Sequence, residues 1–289
     1  MTNSTPLWFI FGLAIAVIAL RQLALAALAL GQRREIIARF ASLPGGGWLN
    51  GSLSRVGERF PAVRDIIRRR VALDRFSGLP LSLLVVGLAA IAILAGDVIQ
   101  GILHAGDIIE IDEAVHHGLA ALRGKVTVSF FSFLTFYGTV PFMIGAAMLV
   151  SLLLIIFDRL GYLVPLWFTI GGSTAATWGA KYLVARPRPE FVTGVIETSP
   201  SFPSGHATAA MATYGFLAYL CWREAPSLRL RFECAFWLIM FIGLLGLSRL
   251  VLGVHYLSDV MVGYLIGMFF LMIGVGIAEW QRDGQKLRP

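Results

Sequence analysis

The stretch VMVGYLIGMFFLMIGVGIAEW, Val260 to Trp280, decides the fold class. No residue from Val260 to Ala278 is charged. An uninterrupted apolar run of about 18 residues or more reads as a membrane-spanning helix, since strands and core helices of soluble domains are shorter or patterned. Working back along the chain, comparable runs occupy Phe236–Val254, Ala207–Trp222, Leu163–Val184, Thr139–Phe157 and Leu79–Leu103. The composition agrees, with 57% hydrophobic residues, only 14% charged ones and a mean hydropathy of +0.76. An all-α polytopic membrane helix bundle with a six-span core follows.

The N-terminal apolar segment runs from Leu7 to Leu20, is interrupted by Arg21-Gln22 and resumes to Leu30. No basic residue precedes it, so it is expected to be a retained extra span rather than a cleaved signal. The expected organisation is an N-terminal transmembrane segment over 1–31, a basic cytoplasmic or interfacial segment over 32–77, the six-span core over 78–280 and a cytoplasmic tail over 281–289. Short amphipathic helices such as Val63–Leu73 are expected to lie on the membrane face.

The net charge of +7 comes mainly from arginine, with ten arginines between Arg33 and Arg75 against Glu35, Glu58, Asp65 and Asp74. Basic residues flanking apolar spans set topology and meet anionic lipid, so no nucleic acid partner is expected. That stretch, the Arg223–Arg231 loop and the tail after Trp280 are placed in the cytoplasm, and Asp107, Glu110, Asp112 and Glu113 on the opposite side. The aromatic segment Val128 to Tyr137 suits a membrane interface. Cys221 and Cys234 have no disulfide or zinc pattern and are expected to be buried, reduced packing residues.

Three short polar segments break this apolar background. Lys181 and Arg188, with Arg186 between them, sit at a span end beside Pro187 and Pro189. Arginine presents a planar fork to two anionic oxygens and lysine a compact point charge, although span-end cations also snorkel to the interface. Pro203-Ser204-Gly205-His206 opens a helix, with Ser204 as a candidate N-cap, Gly205 allowing close backbone approach and free N–H groups facing an anion. His206 would protonate a leaving oxygen; a capped helix with a first-turn histidine is the plainer alternative. In Ser248-Arg249…His255…Asp259, a carboxylate four residues after a histidine shares its helix face. It can fix the imidazole tautomer and leave the other nitrogen free to attack, or serve as a satisfied polar pair within the bundle. Counting crossings places all three segments on one non-cytoplasmic face, where cations need a reason to be. His104, His116 and His117, with Asp112 or Glu113, have poor spacing for a metal site, and no metal or cofactor is expected.

Together these segments resemble the three-part signature of the type 2 phosphatidic acid phosphatase family, K-x6-R-P, P-S-G-H and S-R-x5-H-x3-D. Lys181…Arg188-Pro189, Pro203-Ser204-Gly205-His206 and Ser248-Arg249…His255…Asp259 meet it without departure. The resemblance covers about Leu79 to Trp280 and extends to vanadium haloperoxidases and bacterial acid phosphatases. It implies a metal-independent hydrolase. His255 would form a phosphohistidine, Asp259 would orient it, and His206 would act as acid and then base. Lys181, Ser204, Gly205, Arg188 and Arg249 would bind the phosphate oxygens. Arg186 lies outside the signature and has at most an accessory role.

The expected substrate is a membrane lipid phosphate or diphosphate drawn from the bilayer: undecaprenyl diphosphate, phosphatidic acid, phosphatidylglycerophosphate or a lipid A phosphate. The site would face the periplasm from a bacterial inner membrane, with the C-terminus cytoplasmic. A lipid phosphotransferase using the same residues, or a non-catalytic lipid-binding or transport protein, are the other readings. No protein partner is indicated.

Overall fold

The computed structural model describes residues 7–31, 79–104, 106–189 and 197–286, and among these there is no strand. Its α-helices are α1 (Leu7–Gly31), α2 (Leu79–Leu103), α3 (Asp107–Gly118), α4 (Lys125–Phe136), α5 (Val140–Ile156), α6 (Leu163–Val184), α7 (Gly205–Glu224), α8 (Leu228–Val251) and α9 (Leu257–Lys286). Each apolar run foreseen for the core is therefore a helix. Two compact units divide the chain, Trp8–Leu83 and the remainder from Leu84 onward. In the first, α1 is one continuous helix through Arg21-Gln22. The expected basic segment over 32–77 lies outside the described residues.

Three helices are long and apolar enough to cross a membrane on their own: Pro80–Leu103 in α2, Leu228–Val251 (α8) and Leu257–Gly284 in α9. The apolar surface of α2 suits a lipid surrounding, with Val86 and Ile93 largely exposed; a row of bare aliphatic side chains is stable against lipid and costly in water. α6 and α7 are less apolar because their inner faces carry Thr169, Ser173, Thr177, Lys181, Thr208 and Thr213, all buried. Those hydroxyls are largely spent on the helices' own backbone, as in Thr177 Oγ1 to Ser173 O at 2.8 Å, which keeps them compatible with a membrane interior.

The second unit is built around α7, which packs against α8, α9, α6 and α5, while α6 also packs on α9 and α4 lies on α8. Phe216 of α7 centres a core with Leu154, Leu166, Tyr162 and Ala278. Gly263 lets α9 reach the start of α7, where a Cβ at that position would lie 2.7 Å from the Ser204 carbonyl oxygen. α6 ends at Ala185 in the left-handed region, its N–H returning to Lys181 O, with Pro187 and Pro189 following. Ser227 caps α8 by accepting from Leu230 N at 3.2 Å.

α3 and its 3-10 extension meet α4 at a bend of 116°, forming a broken segment rather than a straight span. The aromatic stretch expected at the interface falls on α4: Phe133 and Phe136 face outward, while Phe131 and Leu134 are buried. Cys221 and Cys234 are free, as expected, but only half-buried rather than fully so.

Candidate active site

The three polar segments come together where α6 ends and α7 and α9 begin. Their cations differ in how they are held. Lys181, in the last turn of α6, is buried and its ammonium donates to the Pro200 carbonyl. Arg188 follows the chain out of α6; its Nε donates to Ser199 O at 2.7 Å and its fork to Val254 O at 2.8 Å. Arg249, in the last turn of α8, is only 1% exposed. It donates to Thr135 Oγ1 of α4 at 2.9 Å and to Glu197 Oε1 at 2.6 Å, while its buried Nε has no hydrogen-bond partner.

Glu197 is the unexpected member. Its carboxylate bridges the two signature arginines, lying 2.6 Å from Arg249 and 3.7 Å from Arg188. Burial alone would raise its pKa, but the charge and hydrogen bond of Arg249, with Arg188, hold the carboxyl below its ordinary range. An anion of the chain itself thus sits where two guanidinium groups converge, which is direct evidence that this spot favours negative charge.

His255 stands in the turn between α8 and α9 and is 3% exposed. Burial is the main cause that pulls its pKa down to about 4, against the opposing pull of Asp259, so the imidazole is neutral at neutral pH. Its Nδ1 faces Asp259 Oδ2 at 3.4 Å and its Nε2 faces an Arg188 N–H at 3.3 Å. Both contacts require one tautomer, with the proton on Nδ1 and the lone pair on Nε2. That lone pair faces Arg188, the orientation a nucleophile at an anionic centre needs.

Asp259, fully buried in the first turn of α9, accepts from the Tyr256 backbone N–H at 3.0 Å through Oδ2 and from Arg186 at 2.9 Å through Oδ1. Its own carbonyl accepts the Ser204 N–H at 2.9 Å, tying the second segment to the third. Ser204 precedes α7, whose first backbone bond runs from Thr208 N to Ser204 O, so the N–H groups of Gly205, His206 and Ala207 precede the helical ladder. The Ser204 hydroxyl is buried without a partner. His206 lies within electrostatic reach of Arg249, His255, Arg188 and Lys181.

All eight residues singled out from sequence therefore form one cluster: His255, His206, Asp259, Lys181, Arg188, Ser204, Gly205 and Arg249. Arg186 instead pairs with Asp259 and Asp112, and Asp112, expected in an acidic outer segment and weighed there for a metal site, is buried against it. Sequence reasoning also missed Glu197 and Thr135, which carry no motif. The outer histidines are otherwise engaged. His116 contacts Arg123, His117 pairs with Glu113 at 3.5 Å, and His104 faces Gln100 O.

The family model of the PAP2 superfamily matches residues 162–283, which hold all three segments. This part of the chain is a PAP2 superfamily domain. Phosphatidylglycerophosphatase B of Bacillus subtilis (strain 168) is 26% identical over 180 residues, 61% of this chain and 89% of that protein. Lipid A 1-phosphatase of Rhizobium johnstonii is 32% identical over 119 residues, 37% of this chain and 44% of that protein. Among solved structures, the transmembrane PAP2-type phosphatidylglycerolphosphate phosphatase from Bacillus subtilis superposes with a TM-score of 0.62. That match has 21% identity and covers 70% of this chain and 97% of that one. The PAP2 fold is thus shared well beyond the matched segment.

Proposed function

We propose that this PAP2 protein is an integral-membrane hydrolase of lipid phosphates or diphosphates that works through a phosphohistidine. One observation carries the reading: a buried, neutral His255, anchored by Asp259, turns its unprotonated Nε2 to Arg188, which shares the Glu197 carboxylate with Arg249. The relatives named above, a phosphatidylglycerophosphatase and a lipid A 1-phosphatase, support a lipid phosphate as the substrate class.

In the first step the phosphate displaces Glu197 and takes up the arginine forks, the Lys181 ammonium, the Ser204 hydroxyl and the Gly205 N–H. His255 Nε2 attacks phosphorus and the N–P bond forms as the P–O bond to the lipid breaks. Burial and the neighbouring cations hold His206 well below its ordinary pKa, so its proton arrives with the anionic phosphate, and His206 then gives that proton to the departing oxygen. In the second step His206 takes a proton from water as that water attacks phosphorus; the N–P bond breaks and inorganic phosphate leaves. The cations hold the equatorial oxygens throughout, where charge accumulates. Undecaprenyl diphosphate, phosphatidic acid, phosphatidylglycerophosphate and lipid A phosphates all fit this chemistry.

The core over 78–280 would carry catalysis, 1–31 an additional span and 32–77 a basic cytoplasmic or interfacial segment. The site would face the periplasm. Supporting this, Arg159, Arg223 and Arg282 gather around Glu224 and Glu279 at the far ends of α6, α7 and α9, as the positive-inside rule requires of a cytoplasmic face.

The test is phosphate release from a panel of lipid phosphates and diphosphates with EDTA present, by wild type and His255→Ala, in detergent and in sealed right-side-out vesicles. Release that survives chelation, disappears in the variant and appears outside the vesicles is expected. Equal release by the variant, or release only to the vesicle lumen, would overturn the mechanism or the orientation respectively.

A further inference from the structure

Arg186 belongs to the same exit from α6 as Arg188 but serves a different set of groups. Its guanidinium donates to Asp259 Oδ1 at 2.9 Å, to Ser258 Oγ at 2.8 Å and to Asp112 Oδ2 at 2.8 Å. It also lies 4.3 Å above the Tyr256 ring. Asp112, from α3, is 1% exposed; its Oδ1 accepts the Ser258 backbone N–H at 2.9 Å and its Oδ2 accepts the Ser258 hydroxyl. Two buried carboxylates therefore share one guanidinium, and one of them is the carboxylate that holds His255.

We propose that Arg186 and Asp112 are positioning residues for the hydrolysis, a charge-balanced pair that fixes the rotation of Asp259 and sets how strongly it draws on His255. The proposal rests on the reading of His255 as nucleophile. The geometry divides the work of Asp259 cleanly: Oδ1 is taken by Arg186, leaving Oδ2 for the Tyr256 N–H and His255 Nδ1. A carboxylate held at both oxygens cannot swing away from the imidazole. The charge argument adds a sign. Removing the cation at Arg186 leaves Asp259 buried with less compensation and favours an imidazolium at His255. Removing the anion at Asp112 gives Arg186 wholly to Asp259 and disfavours it.

Opposite shifts would show that the pair acts on His255 through its charges, and a fall in kcat at unchanged KM is what a pair that only fastened α3 to α9 would not add. The other charged groups facing His255 are Arg188, Arg249, Glu197 and His206, with Lys181 acting on the same cluster. None of them is altered in the variants below.

The experiment is a pH titration of the full-length protein in detergent, carrying histidine labelled with nitrogen-15 in the ring and followed by NMR. The chain has five histidines, so loss of one resonance in His255→Ala assigns the signal. Arg186→Gln should move the His255 midpoint up by roughly one pH unit, and Asp112→Asn should move it below the wild-type value. The double variant should return near wild type, and Arg186→Lys should titrate like wild type because it keeps the charge. In parallel, Arg186→Gln should lower kcat by about 10- to 100-fold with KM changed by no more than about twofold, as for residues that orient a reacting group without touching substrate.

Midpoints that move in the same direction, or that stay put in both folded single variants, would overturn the pair. If Arg186→Gln does not fold, the downward shift in Asp112→Asn decides. The titration needs no substrate, so a wild type that releases no phosphate would remove the hydrolase reading while leaving this test intact.

Discussion

At the scale of single residues, the site is a cluster of charges largely paired within the chain. Glu197 holds Arg249 and Arg188, Arg186 joins Asp112 to Asp259, and Pro200 takes the Lys181 ammonium. A buried cation left alone would be costly, so each has found a partner in the chain. Under the proposed mechanism Glu197 competes with the phosphate for the same two guanidinium groups. Glu197→Gln keeps the shape and removes the charge, and should tighten inhibition by inorganic phosphate several-fold at neutral pH. Weaker or unchanged inhibition, measured against the same lipid substrate, would show that the carboxylate supports the cradle rather than competing for it. The signature residues were legible from sequence because each sits at a fixed spacing from a helix end. Glu197, Asp112 and Thr135 were not. Each reaches its arginine across the fold, Glu197 and Arg249 being 52 positions apart and Asp112 and Arg186 74. No local pattern encodes such contacts.

At the scale of elements, the arrangement depends on α9 lying directly against the start of α7. Gly263 is where that contact is made, opposite Ser204. Gly263→Ala would push a methyl into the Ser204 carbonyl, displacing the segment that carries Ser204, Gly205 and His206. The expected cost is about 1–3 kcal/mol of stability, read as a lower Tm in detergent, with phosphate release falling further than stability alone explains. Gly243→Ala on α8 is the matched control, since an added Cβ there meets nothing within 4 Å. Equal Tm and equal turnover in the two variants would refute the close approach. Helix boundaries were largely readable, because Pro and Gly mark the exits from α6 and the entry to α7. The broken α3–α4 segment was not. Its residues read as an acidic stretch followed by an aromatic belt, whereas folding bends them so that α3 delivers Asp112 and α4 delivers Thr135 to the site. An amphipathic helix of ordinary length gives no sequence signal of what its buried polar residue will meet.

At the scale of the whole molecule, the apolar exterior and the polar cluster divide the labour. Exposed apolar side chains on α2 and α8 suit a lipid surrounding, while α6 and α7 carry buried hydroxyls and a lysine on their inner faces, where the site is built. That division explains why α6 and α7, though among the core helices, are not apolar enough along their length to read as spans on their own. The signature cluster lies at one end of α6, α7 and α9, and the cluster of Arg159, Arg223 and Arg282 at the other. The central claim is that phosphate passes through a covalent bond to His255. It is tested most directly by mixing the full-length protein with a lipid phosphate labelled with phosphorus-32, quenching within milliseconds in base, and mapping the labelled peptide. A base-stable, acid-labile label on His255, absent in His255→Ala, is the predicted result. Turnover by wild type with the label absent from His255, or found on another residue, would contradict it.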